Sequence, residues 1–219
     1  MRLFVLARHA ESAANAAHML SSDPFRHSAL TSRGRAQARR LGAQIANLDI
    51  DLAVCTRFPR TRQTLDLALG GRDIPVIIEP DLDEVRAGVF DGAPIEAYWA
   101  WKERHPQSER FPGGESLDEA VRRYADALTR LLARKEAVTL IVAHELALRY
   151  MLEAAAGVGE ANRSKPRAEN AVPYFFDERA VRRAAACLDA LAPGSRRNTS
   201  SRGRLIAPLV GYEAVSSSG

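Results

Sequence analysis

The chain begins with an unbroken apolar run, Leu3–Ala7, and turns polar at Arg8-His9. A half-buried strand alternates apolar and polar residues; a continuous run of this length reads as a strand covered on both faces. Comparable runs occur at Ile50–Cys55, Val76–Ile78, Val138–Ala143 and Val172–Phe176. Between them the spacing turns helical. Ala36, Leu41, Ile45 and Leu48 share one face of a helix over 33–48, with Thr31 or Ser32 as its cap. Pro59 suits the first turn of a helix running to Leu69, where Gly70-Gly71 stops it. Residues 95–103 and 145–156 read as helices, the second ended by Gly157. Ser116-Leu117-Asp118-Glu119 is a capping box that opens a long helix to about Lys135. An Ala- and Arg-rich helix fills 178–192. Residues 10–30 lack periodicity and read as loop with at most a short helix. Residues 81–93 are acidic and turn-rich, and Phe111-Pro112-Gly113-Gly114 is a loop.

Strands alternating with helices predict an α/β sheet with helices on both faces. Residues 1–192 hold no convincing linker and read as a single domain; 193–219 are a Ser-, Gly- and Arg-rich polar tail. Composition narrows the class. Of 219 residues, 46% are hydrophobic and 26% charged, which excludes collagen-like, disordered and disulfide-stapled chains. The net charge of +4 is spread without a long basic run, so nucleic acid is not an expected partner. No stretch reaches the 18 apolar residues of a membrane span, and the first apolar run is too short for a signal peptide. Cys55 and Cys187 are far apart and form no CxxC pair, which fits a reducing, cytoplasmic setting and no structural zinc. Basic residues are mostly Arg, whose planar fork suits phosphate better than Lys does.

In open α/β sheets, ligands bind beyond the carboxyl ends of the strands. The residues just past each apolar run are therefore the first place to look. After the first come Arg8, His9 and Glu11; after the second, Thr56, Arg57 and Arg60; after the fourth, His144 and Glu145. Two histidines with convergent arginines suit phosphoryl transfer. Arg forks hold a phosphate's oxygens, an imidazole can attack phosphorus, and a nearby carboxylic acid can protonate the leaving oxygen. Glu84, in the acidic turn-rich segment, is the expected acid, and the scheme needs no metal or cofactor. His18, His27 and His105 lack such context and read as surface or loop residues; Trp99 and Trp101 cover either the core or a pocket mouth. Other chemistries fail on inspection. There is no GxxxxGK[ST], no GxGxxG after the first strand and no GxSxG, and His144-Glu145 lacks the second histidine of HExxH.

These residues carry a family resemblance. Leu6-Ala7-Arg8-His9-Ala10-Glu11-Ser12-x-x-Asn15 resembles the RHGE-x-x-x-N opening of the histidine phosphatase superfamily, the phosphoglycerate-mutase-like proteins. Leu30-Thr31-x-x-Gly34-x-x-Gln37-Ala38 is similar to its LTxxGxxQA, and Cys55-Thr56-Arg57-Phe58-x-Arg60-Thr61-x-Gln63-Thr64 to its SSxLxRAxQT. Leu82-x-Glu84-x-x-x-Gly88-x-x-x-Gly92 resembles LxExxxGxxxG, Pro112–Ser116 resembles PGGES, and Val142-Ala143-His144 resembles the family's VSHGG strand end. The matches run in family order from residue 6 to about 149.

The resemblance implies a three-layer α/β/α sandwich with a mostly parallel central sheet. It implies that His9 is the phosphorylated nucleophile, that Arg8, Arg60 and His144 hold the phosphoryl group, and that Glu84 is general acid and base. Asn15 would line the phosphate pocket. Arg57 is a guessed substrate contact. Ala10 and Glu145 stand where the family has Gly, and Cys55 where it has Ser. Glu145 puts a carboxylate beside an anionic site, which weakens phosphate binding unless it points away, or selects a cationic or hydroxyl-bearing substrate. The expected function is a metal-independent phosphomonoesterase of the histidine acid phosphatase type, acting on a small phosphorylated metabolite. A cofactor-dependent phosphoglycerate mutase and a non-catalytic phosphate binder are the alternatives. The oligomeric state stays open, a homodimer among the options.

Overall fold

A computed structural model of the chain describes residues 2–26, 28–156 and 168–191. His27, the Gly157 helix stop and the 193–219 tail lie outside those residues. Among the described residues five strands form one sheet: β1 (Leu3–Arg8), β2 (Leu52–Cys55), β3 (Val76–Ile78), β4 (Val138–Ala143) and β5 (Pro173–Asp177), in the spatial order β3-β2-β4-β1-β5. All neighbouring pairs are parallel except β1–β5, which is antiparallel. The helices are α1 (Ala13–Ala16), α2 (Ser32–Gln44), α3 (Pro59–Leu69), α4 (Ile95–Arg104), α5 (Leu117–Leu132), α6 (Glu145–Ala155) and α7 (Glu178–Leu191). Short 3-10 turns occupy Pro80–Leu82 and Gly88–Phe90.

The continuous apolar run of β1 is explained by what covers it. Phe4 and Leu6 pack with α5, α6 and α7 on one face. Val5 and Ala7 pack with α2 and α3 on the other. The sheet is thus the middle of three layers, and its inner strands have no solvent side on which to place polar residues.

Local chemistry sets the helix ends. Thr31 caps α2 by accepting from the Gly34 amide at 2.9 Å, and Ser116 and Glu119 form the reciprocal box that opens α5. Gly70, at φ 60, ends α3. α2 stops at Gln44, a turn short of the expected 48: the next residues bond i→i−3, Ala46 to Ala43 and Leu48 to Ile45, and Arg72 takes the freed carbonyl of Leu48 at 2.5 Å. In the irregular 10–30 stretch, Ser12 and Asn15 build a capping box of their own around α1.

Gly34 has a positional reason to be glycine. A Cβ there would lie 2.0 Å from the carbonyl oxygen of Glu11, so α2 can approach the turn after β1 only without a side chain. Both partners are backbone and cannot rotate away. Gly34→Ala is expected to destabilise the fold by about 1–3 kcal/mol, the usual cost of overpacking. Urea unfolding followed by far-UV circular dichroism measures it, and a midpoint equal to wild type would refute the contact's importance.

Candidate active site

Three parallel strands bring their carboxyl ends to one place. β1 ends at Arg8 and delivers His9; β2 delivers Thr56; β4 delivers His144 as the N-cap of α6. Arg60 enters from the first turn of α3. The His9 backbone is fixed from three sides. Its amide donates to the Ala143 carbonyl at 2.9 Å, its carbonyl accepts from Asn170 Nδ2 at 2.7 Å, and the next amide donates to Thr64 Oγ1 at 2.9 Å.

The hydrogen bonds decide the tautomers. His9 Nδ1 lies 2.8 Å from the Ala10 carbonyl, which can only accept, so Nδ1 carries the proton. His9 Nε2 lies 3.0 Å from Arg60 Nε, which can only donate, so Nε2 presents its lone pair. His144 has the opposite arrangement. Its Nδ1 accepts from Arg60 Nη2 at 3.1 Å, and its Nε2–H donates to Thr56 Oγ1 at 2.9 Å. The chain continues from Thr56 to Thr61 Oγ1 at 3.0 Å, and from there to the Phe58 carbonyl at 2.8 Å. The two rings sit edge to face with centroids 5.4 Å apart.

Burial enforces the same protonation state. His9 is 2% exposed and His144 0%. Burial, then the nearby positive charges of Arg60 and Arg8, hold the His9 pKa well below its ordinary 6.5. His144 is lowered likewise, first by burial and then by Arg60. Arg60 is itself 3% exposed, and burial pushes its pKa down to about 10. Its Nη1 donates to the Ser21 hydroxyl and its Nη2 also to the Ser21 carbonyl, both at 3.0 Å, while its guanidinium carbon lies 4.2 Å from the Phe58 ring centre.

Arg8, His9, Asn15, Arg60, Glu84 and Glu145 line one pocket of about 310 Å³. Glu84 is half-buried, and burial raises its pKa above the ordinary 4.5, against the pull of Arg60 and with a further push from Glu145. It therefore keeps a proton at higher pH than a solvated carboxyl. Asn15 is steadied by accepting from the Ser12 amide at 3.2 Å. Glu145 lines the pocket, and its buried Oε1, 3.7 Å from Arg149 Nη1, has no hydrogen-bond partner among the described residues. Cys55 is buried at the end of β2, and burial raises its thiol pKa to about 11.

Arg57 is where the expectation fails. Its guanidinium is turned onto Asp83, with Nη2 2.6 Å and Nε 2.7 Å from Oδ2, and it lies outside the pocket lining. A buried carboxylate needs a partner, and Asp83 takes this one. His18 is exposed in the turn after α1, as expected, at φ 54; it also borders the pocket, and Trp99 lies on the same wall. His105 stacks on Trp101 at 4.1 Å, away from the site. Sequence reasoning missed Ser21, Asn170 and Arg149. Only Arg149 left a signal, its four-residue spacing from Glu145. Among the described residues no cluster of three or more His, Cys, Asp or Glu side chains is placed to hold a metal ion.

Comparison with known proteins agrees with this geometry. Residues 4–177 match the family model of the histidine phosphatase superfamily (branch 1). The "Probable phosphoglycerate mutase GpmB" of Erwinia tasmaniensis is 29% identical over 161 residues, covering 70% of this chain and 74% of that protein. The adenosylcobalamin/alpha-ribazole phosphatase of Salmonella typhimurium is 31% identical over 161 residues, covering 69% and 78%. The crystal structure of the alpha-ribazole phosphatase from Shigella flexneri superposes with a TM-score of 0.67 at 24% identity, over 80% of this chain and 90% of that one, which speaks for the fold.

The tautomers are directly measurable. Ring-nitrogen NMR is expected to show His9 protonated at Nδ1 and His144 at Nε2 at neutral pH, with neither ring charged as the pH falls to 6.5. An imidazolium signal from either residue at neutral pH would contradict the geometry.

Proposed function

The chain belongs to the histidine phosphatase superfamily, and from that premise we propose that it hydrolyses small phosphate monoesters through a phosphohistidine on His9. The observation that carries this reading is the His9 ring. A neutral imidazole is held by the Ala10 carbonyl so that its Nε2 lone pair meets Arg60 in a pocket also lined by Arg8 and Glu84.

In the first half-reaction Nε2 forms a bond to phosphorus as the ester P–O bond breaks. The proton of Glu84 passes to the departing oxygen. In the second, the Glu84 carboxylate takes a proton from water, water oxygen attacks phosphorus, and the N–P bond breaks. Arg8 and Arg60 neutralise the oxygens throughout. A bound phosphate competes with the two imidazoles for the donors of Arg60. Its negative charge raises the proton affinity of His144, whose Nδ1 then becomes a donor to the phosphoryl group. Asn15 borders the same space. These side chains supply every step, so the reading requires no metal or cofactor.

Glu145 works against anion binding, and Arg149 offsets it only partly at 3.7 Å. That favours an ester whose alcohol carries a hydroxyl or cationic group near the phosphate. The relatives named as alpha-ribazole phosphatases support a small metabolite as substrate. The Erwinia relative carries a mutase name, and a mutase shares the first half-reaction. An assay for phosphoglycerate interconversion with 2,3-bisphosphoglycerate present separates the two.

The decisive assay is hydrolysis of p-nitrophenyl phosphate in excess EDTA. Wild type is expected to turn over and His9→Ala to lose at least about a thousandfold, because the nucleophile itself is gone. Equal activity of the two proteins sinks the proposal. On an alkyl phosphate the pH dependence is set by the two shifts. The reaction needs His9 neutral, hence pH above its lowered pKa, and Glu84 protonated, hence pH below its raised one. kcat/KM is therefore expected to peak on the acid side of neutrality.

A further inference from the structure

Glu84 reaches the pocket from an irregular segment, not from a strand or helix. Its own carboxyl is weakly tethered: Oε1 accepts from the neighbouring Val85 amide at 3.0 Å. What fixes the general acid must therefore be whatever fixes its backbone.

That backbone is gripped chiefly by Arg123 of α5, with the neighbouring Tyr124 hydroxyl adding a longer bond to the Asp83 carbonyl at 3.4 Å. Arg123 Nη1 donates to the carbonyls of Asp81 at 3.0 Å and Asp83 at 2.7 Å, and Nη2 donates to the carbonyl of Glu84 at 3.1 Å. The other two donors go to Glu115, Nη2 to Oε1 at 2.6 Å and Nε to Oε2 at 3.2 Å. A guanidinium has five N–H groups, and all five are used. Arg123 thus has no donor left for substrate. Glu115, from the loop before α5, is almost fully buried and turns the other way as well. Its Oε1 accepts from the Arg86 amide at 2.9 Å, and its own amide donates to the Arg86 carbonyl at 2.9 Å. The loop also closes on Gly88, where a Cβ would lie 2.0 Å from the Pro112 carbonyl oxygen and where φ is +56°. Residues 81–88 are therefore held at both ends, with Glu84 between.

We propose that the Glu115–Arg123 pair is a positioning device for the general acid: it sets where the Glu84 carboxyl stands and touches no reacting atom. This rests on the phosphatase reading above. Lys cannot substitute, because three donors on a flexible stem cannot serve five fixed acceptors. The consequence is confined to proton delivery. An alkoxide leaving group needs Glu84's proton as the P–O bond breaks, whereas p-nitrophenolate departs as a stable anion without it. kcat/KM covers the steps through P–O cleavage and so separates the two cases.

The test compares Arg123→Lys, Glu115→Gln and, as reference, Glu84→Gln on glycerol phosphate and p-nitrophenyl phosphate, with urea unfolding of each protein alongside. Glu84→Gln is expected to lose about 100-fold or more on the alkyl ester. Arg123→Lys and Glu115→Gln are expected to lose about 10- to 100-fold there and less than about threefold on the aryl ester. Equal losses on both esters, no loss on either, or failure of both clamp variants to fold overturns the proposal, the last two results leaving the clamp a purely structural role or none. A wild type inactive on both esters overturns the phosphatase reading itself, before any variant is measured.

Discussion

Arg60 places a guanidinium in the interior with two imidazoles and Ser21 as its hydrogen-bond partners, all of them neutral. A buried cation of this kind lowers the pKa of everything basic nearby and is itself held below its ordinary value, to about 10. It fixes both histidine tautomers, because guanidinium nitrogens only donate. It also needs an anion, and the arrangement around it leaves the pocket side for one. Among the described residues no carboxylate stands within ion-pair distance of it, and on the proposed mechanism the bound phosphate supplies that charge.

The sheet holds this arrangement in place. β1, β2 and β4 are buried on both faces by α2 and α3 on one side and by α5, α6 and α7 on the other, so their carboxyl ends have little freedom. His9 and His144 sit on the first residues past adjacent parallel strands, paired in register through Arg8 and Ala143. Glu84, by contrast, comes from an irregular segment tied down by side chains. His9 and Glu84 are thus positioned by different physics: the first by a strand ladder, the second by a guanidinium fork.

That difference also explains what could be read from the sequence. Continuous apolar runs located the strands, and the strand-end rule located Arg8, His9 and His144. Pro59, Gly70 and the Ser116 box placed helix boundaries to within a residue or two. α2 was overestimated because its final turn tightens to i→i−3 bonding, with the Leu48 carbonyl taken by Arg72 from the later loop before β3. Arg57 looked like a site residue because it comes just after β2, but its fate depends on Asp83, 26 residues away, and local pattern does not encode that pairing. Ser21 and Asn170 are single polar residues in aperiodic stretches. The acceptors of Arg123 are largely main-chain carbonyls, which every sequence has.

The most direct test of the account is to trap the covalent intermediate. The protein is mixed with a phosphorus-labelled ester, quenched in alkali within the first turnovers, and mapped by peptide mass spectrometry. The account predicts an acid-labile, alkali-stable phosphate on the peptide containing His9, absent when the same experiment is run on His9→Ala. Turnover with no label on His9, or label on another residue, would contradict it.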